Sequence, residues 1–230
     1  MDVWAKLGEP APPLVRLFDP LPRMRLEQGR TALLVVDMEY GSVTEGEGLI
    51  AMAEEQGISM AYYVSRLREI TLNIRRLQEG FRAAGLEVVH TKGRGTKGGH
   101  CLGGVRVRPL RSDQAPRRRG IIAELAPRER EVVIEKDTPG PFGVTNIDHA
   151  LRVLGVDILV ATGVVTDQCV EATVRGAFDF GYQVILVEDA CATVSPELHD
   201  ASLRVLADWF CRVWTTSEVL EGLRQLQEGQ

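Results

Sequence analysis

No stretch of the chain approaches the ~20 consecutive apolar residues that span a bilayer. The first thirty residues, MDVWAKLGEPAPPLVRLFDPLPRMRLEQGR, lack the basic segment followed by an apolar one that marks a secretory leader. They are broken by prolines and carry Asp2 and Glu9. Paired cysteines are missing too. Cys101, Cys169, Cys191 and Cys211 lie far apart, with no C-x-x-C spacing. Without an export signal they are expected to be reduced thiols, each a small buried hydrophobe or a nucleophile. Nor is there an excess of positive charge: 27 Lys and Arg stand against 32 Asp and Glu, a net −5. That argues against a general nucleic-acid binder. The expectation is a soluble cytoplasmic protein with no nucleic-acid or membrane partner.

What is present has globular proportions, 44% hydrophobic and 26% charged. At 230 residues the chain can be a single α/β domain. From residue 31 onward, short apolar runs alternate with helical patterns. The runs are Thr31–Val36, Leu86–Thr91, Glu131–Glu135, Asp157–Thr162, Tyr182–Val187 and Cys211–Thr216. Each is nearly continuous in apolar residues rather than alternating, which suits strands covered by helices on both faces. The longest helical pattern runs from about Ile58 to Ala84, with Leu67, Ile70, Ile74, Leu77, Phe81 and Ala84 on one face. Shorter ones cover Asn146–Leu154, Asp167–Phe180, Pro196–Trp209 and Ser217–Leu226. Gly85, Gly155 and Gly181 follow three of them as C-caps. Strand–helix alternation with right-handed crossovers predicts a doubly wound, Rossmann-like parallel six-stranded sheet in a three-layer αβα domain over residues 31–226. Residues 1–30 are expected to be an irregular extension.

Two internal stretches break the alternation. Residues 92–119 hold six glycines and nine Lys and Arg against one Asp, a local charge of +8. They read equally as a solvated loop or as a lid facing an anion or a neighbouring subunit. Residues 41–57, rich in Glu and Gly, read as a lid or as a simple connection.

In an open parallel sheet, ligands bind beyond the carboxyl ends of the strands, where the strand order reverses. Three polar residues follow strands: Asp37, Lys136 and, seven residues beyond its strand, Cys169. Singly, each has a plain reading, as a turn former, a solvated cation and a packed thiol. Together they are a base, a cation and a nucleophile expected on one sheet edge. A helix start and a nearby ammonium would lower the Cys169 pKa. A carboxylate can take the thiol proton and later hand it to a leaving nitrogen. None of this chemistry requires a metal or a cofactor. In GVVTDQCV (Gly163–Val170), Thr166 or Asp167 would cap the helix, and the turn would aim backbone N–H groups at a developing oxyanion.

These residues resemble the isochorismatase-like cysteine hydrolases from about Thr31 to Leu223. The landmarks are ALLVVDM (Ala32–Met38), EKDTPGPFGVTNID (Glu135–Asp148), GVVTDQCVEATVRGAFDFGY (Gly163–Tyr182) and VEDACAT (Val187–Thr193). The resemblance implies a catalytic triad of Asp37, Lys136 and Cys169. It also implies a cis peptide between Val164 and Val165, and an oxyanion hole from the N–H groups of Val165 and Cys169. It further implies assembly as a homodimer or homotetramer. The family usually reads D-M-Q-N-D-F after the first strand, where this chain has Asp37, Met38, Glu39, Tyr40, Gly41 and Ser42. Family nicotinamidases bind a metal through an Asp and closely spaced histidines, but His90, His100, His149 and His199 form no such set here.

The expected activity is therefore cysteine-dependent cleavage of a C–N bond in a small linear amide or ureide, with release of ammonia or an amine. Two alternatives stand: an enol-ether hydrolase of the isochorismatase type, and a catalytically silent interaction protein on the same fold. Glu39 is a candidate substrate-binding residue, a carboxylate for substrate –NH₂ groups or a guanidine-like cation; it reads equally as a surface helix cap. Tyr40 would line the pocket or pack. Arg94 would clamp a substrate carboxylate. Cys191 and Cys211 read as core, His199 as a surface or cap residue, and Glu188 and Asp189 as caps or loop ties.

Overall fold

The computed structural model describes Trp4, Pro12, Val15, Leu17 and residues 24–94 and 119–229. Most of the N-terminal extension, Cys101 and residues 95–118 of the basic stretch lie outside the described residues. Six strands, β1 (Thr31–Val36), β2 (Glu87–Gly93), β3 (Val132–Lys136), β4 (Ile158–Val164), β5 (Gln183–Ala192) and β6 (Arg212–Trp214), form one sheet in the order β3-β2-β1-β4-β5-β6. Every neighbouring pair is parallel. The order reverses between β1 and β4, so the crevice beyond those two strands is the place for a ligand.

The near-continuous apolar runs have the physical cause expected of them. Successive side chains of a strand point to opposite faces. Leu33, Val35, Val88, Ile158, Val160, Ile185 and Val187 pack with α3 (Ala61–Ala83) and α7 (Thr216–Glu228). Ala32, Leu34, Val36, Val89, Ile134, Leu159, Ala161, Val184 and Leu186 pack with α4 (Ile147–Val153), α5 (Glu171–Asp179) and α6 (Pro196–Trp209). Both faces are covered, and β1 is buried along its whole length. Among the described residues no helix is long and apolar enough to cross a membrane.

The structure corrects several boundaries. Residues 41–57 contain two short helices, α1 (Tyr40–Val43) and α2 (Gly48–Glu54), ahead of α3. β6 stops at Trp214 because Thr215 leaves the sheet to cap α7: its side chain accepts from Glu218 N, while the Glu218 carboxylate accepts from Thr215 N. β5 runs past Val187 to Ala192. It pairs Leu186 with Ala161, bulges, and rejoins β4 at Cys191 opposite Gly163. The bulge holds Glu188 and Asp189, whose polarity ends the apolar run in the sequence. Asp189 accepts from Thr216 N and Oγ1 at 2.7 and 2.8 Å, the tying role expected of it.

Candidate active site

β1 ends against the reversal point, and Asp37 is the first residue beyond it. Its φ of +53° makes it the one non-glycine in the left-handed region among the described residues. Asp tolerates that region better than most residues, at a cost of about 1–2 kcal/mol. The turn points the carboxylate across the strand ends. Oδ1 accepts from Thr91 Oγ1 at 2.7 Å, at the level of β2. Oδ2 accepts from Lys136 Nζ at 2.6 Å, from the end of β3. Lys136 also donates to Thr138 O at 3.0 Å. Both partners of the ion pair are buried. Burial works against the ammonium, and Asp37 and Cys169 together more than offset it, so Lys136 is held protonated.

β4 delivers the third residue. Gly163 pairs with Val36 at a φ of +114°, and a Cβ there would sit 2.1 Å from Val36 O. No other residue allows β4 to lie this close to the exit of β1. The Val164–Val165 peptide that follows is cis. Thr166–Val170 then form a widened turn in which Val170 N donates to Val165 O at 3.2 Å, and this turn carries Cys169 into α5. The N-cap position falls on Val165 with no side-chain cap, so neither Thr166 nor Asp167 caps the helix. They fasten the turn sideways instead. Thr166 Oγ1 meets His199 Nδ1 at 3.0 Å, and Asp167 accepts from Thr193 Oγ1. His199 is therefore a buried support of the turn, not a surface residue. Burial depresses its pKa to about 4.

Cys169 lies close enough to Asp37 and Lys136 for both to shift its thiol, so all three predicted residues meet at one sheet edge. Its electrostatic state differs from the sequence expectation. Burial and the Asp37 carboxylate push the thiol up to about 12, and Lys136 offsets this in part. The raised pKa favours a neutral resting thiol beside Asp37 over a standing thiolate. Tyr63, from α3, lies near enough for the sulfur to raise its phenol pKa, and its hydroxyl donates to Ser42 O at 3.1 Å. Neither Tyr63 nor Thr91 was singled out from sequence. Thr91 was in principle detectable as the polar end of an apolar run, Tyr63 as a polar tip on the buried face of α3.

Glu39 is buried, not a surface cap, and its side chain makes no capping bond. Oε1 accepts from Gly93 N at 2.6 Å. Burial and neighbouring Asp37 push the carboxyl up to about 8. Tyr40 packs against the first core, and its hydroxyl accepts from Ala123 N at 3.1 Å. Arg94 N donates to Lys136 O at 2.8 Å, while its guanidinium lies 3.6 Å from Asp137 and 4.0 Å from Glu135. Those carboxylates are its partners here, a use the sequence did not indicate. Val164 is buried and Val165 half-buried. Cys191 and Cys211 are core, as expected. Among the described residues no group of three or more His, Cys, Asp and Glu is placed to hold a metal ion. A polar cavity of about 290 Å³, lined by Arg66, Asp189 and Asp200 among others, reaches His199, the partner of Thr166.

Comparison with known proteins places this geometry. The family model for the isochorismatase domain matches residues 31–218. Ureidoacrylate amidohydrolase RutB of Acinetobacter baylyi is 29% identical over 224 residues, covering 89% of this chain and 88% of its own. The solved cysteine hydrolase of Pseudomonas syringae pv. phaseolicola superposes with a TM-score of 0.73 at 26% identity, over 90% of this chain and 98% of its own. N-carbamoylsarcosine amidase of Thermoplasma acidophilum gives 0.60 at 26% identity, over 81% and 96%. The match runs from the first residue of β1 into the first turn of α7, across every strand that positions Asp37, Lys136 and Cys169, and the chain belongs to the isochorismatase family.

Proposed function

We propose that the chain is a cysteine-dependent amidohydrolase that cleaves the C–N bond of a small linear amide or ureide. One observation carries the reading: a thiol set beside a buried carboxylate–ammonium pair at the sheet's reversal point. The names of the relatives support the substrate class, since ureidoacrylate amidohydrolase and N-carbamoylsarcosine amidase both act on ureido or carbamoyl nitrogen.

In this mechanism Asp37 takes the Cys169 proton as the sulfur attacks the carbonyl carbon, so the thiolate exists only as it reacts. Lys136 pairs with Asp37 before the transfer and stabilises the sulfur charge during it. The N–H groups of Val165 and Cys169 hold the oxyanion; one such donor is worth about 3–4 kcal/mol in well-studied enzymes. The tetrahedral adduct collapses with cleavage of the C–N bond, and protonated Asp37 gives its proton to the departing nitrogen. Ammonia or an amine leaves, and the acyl or carbamoyl group stays on sulfur. Asp37, again a base, takes a proton from water as its oxygen attacks the thioester. The acid or carbamate departs as the leaving sulfur takes that proton back from Asp37, which restores the thiol and the carboxylate.

The test is an ammonia-release screen across small ureides and amides with Cys169→Ala as control. The wild type should release ammonia from at least one ureide. The variant should fall by at least about 10³-fold while keeping its circular dichroism and melting temperature, because Cys and Ala differ little in volume. Wild-type-like release by the variant would remove the nucleophile assignment. Pyruvate released from an enol ether, without ammonia from any amide, would favour the enol-ether alternative.

A further inference from the structure

Glu39 is a buried acid for which the mechanism above has no use. Its carboxyl lies flat against the backbone of Gly93, whose missing Cβ would stand 3.5 and 3.7 Å from the two oxygens. Gly93 N is its one hydrogen-bond donor among the described residues, and that bond occupies Oε1. A carboxylate taken out of water needs a counter-ion or several donors. None is left over. Lys136, at the end of β3, is committed to Asp37 and Thr138 O. Lys92, on β2, lies 3.0 Å from Glu135. Asp37, two residues back at the exit of β1, adds a like charge. The carboxyl is thus best satisfied as a neutral acid, in keeping with its raised pKa. Gly93 N takes Oε1, so the proton of the neutral acid sits on Oε2, for which the described residues show no hydrogen bond.

We propose that Glu39 works as a neutral carboxylic acid whose Oε2–H donates to an acceptor oxygen of the substrate, selecting an uncharged ureide with a second carbonyl over a cationic guanidine. This rests on the amidohydrolase reading of the site and names its substrate class. A carboxylic acid offers an amide-like pattern, with one oxygen accepting and the other donating. Gln in its place would preserve that pattern at every pH. Ionisation of Glu39 would replace the donor with a charge facing the substrate's oxygen.

Calorimetric titration of the Cys169→Ala chain, which cannot turn over, tests this with two probes: biuret, uncharged with two carbonyls, and guanidinium. Biuret should bind at pH 6.5 and weaken at least about tenfold by pH 9.5. With Glu39→Gln added, its affinity should stay within about threefold at both values, and the melting temperature reports that this protein is folded. Guanidinium should bind more weakly than biuret at pH 6.5. Three results would overturn the proposal: biuret affinity independent of pH, no biuret binding at pH 6.5, or guanidinium preferred and lost on Glu39→Gln. The two readings fail separately. Biuret binding with the expected pH response, but no ammonia from any ureide in the wild type, would sink hydrolysis and leave Glu39 standing. Ammonia release with pH-independent biuret binding would do the reverse.

Discussion

In the proposed mechanism Asp37 has two opposed effects on Cys169: it accepts the thiol proton, and its charge makes the thiolate costly. The two can be separated by substitution. Asp37→Asn removes the proton acceptor and the like charge together while leaving the Lys136 ammonium in place. Iodoacetamide should then alkylate Cys169 several-fold faster at pH 8 than in the wild type, although turnover drops by about 10³-fold or more. Mass-spectrometric alkylation rates set beside ammonia release measure both. Slower alkylation in the variant would show that Asp37 activates the resting sulfur. The three side chains were legible in the sequence because a parallel sheet gathers the ends of its strands, whatever lies between. The protonation states were not. They depend on how completely water is removed from Cys169 and Glu39, and no spacing rule carries that. His199 shows the same limit. Helical periodicity does not reveal that its ring bonds Thr166, 33 residues earlier in the chain.

Among the elements, β1 and β4 set the site through their mutual approach. Gly163→Ala would place a methyl 2.1 Å from Val36 O at a φ of +114°, so one strand must shift. The expected cost is at least about 2–3 kcal/mol, combining backbone strain with overpacking. Denaturant midpoints measure it, and activity should fall further than stability does, because the strand that moves carries Asp37 or Cys169. The strands themselves were readable as continuous apolar runs. Their ends were less so where polar residues intervene: the Glu188–Asp189 bulge hides the last part of β5, and the Thr215 cap shortens β6.

For the whole molecule, the displaced pKa values make stability depend on pH. His199 titrates near 4 in the folded chain and near 6.5 when unfolded, so below pH 6.5 the unfolded state takes up the proton and stability falls. Glu39 titrates near 8 folded and near 4.5 unfolded, so its contribution is complete below pH 4.5 and is lost as pH rises toward 8. Between pH 4.5 and 6.5 the two slopes oppose each other. From pH 6.5 to 8 Glu39 acts alone, at a cost of about 2 kcal/mol from ~1.4 kcal/mol per unit. The melting temperature should therefore decline across that window in the wild type and stay level in Glu39→Gln. An equal decline in both would assign the loss to another group.

The short segment Met38–Tyr40 fastens both borders of the basic stretch. Gly93 N donates to Glu39, Tyr40 N to Gly120 O, and Ile122 N to Met38 O. Arg119 Nη1 donates to Arg94 O as well. Both borders are thereby held to the segment that directly follows the Asp37 turn. A change in the backbone of those three residues therefore reaches the two borders and the exit of β1 at once.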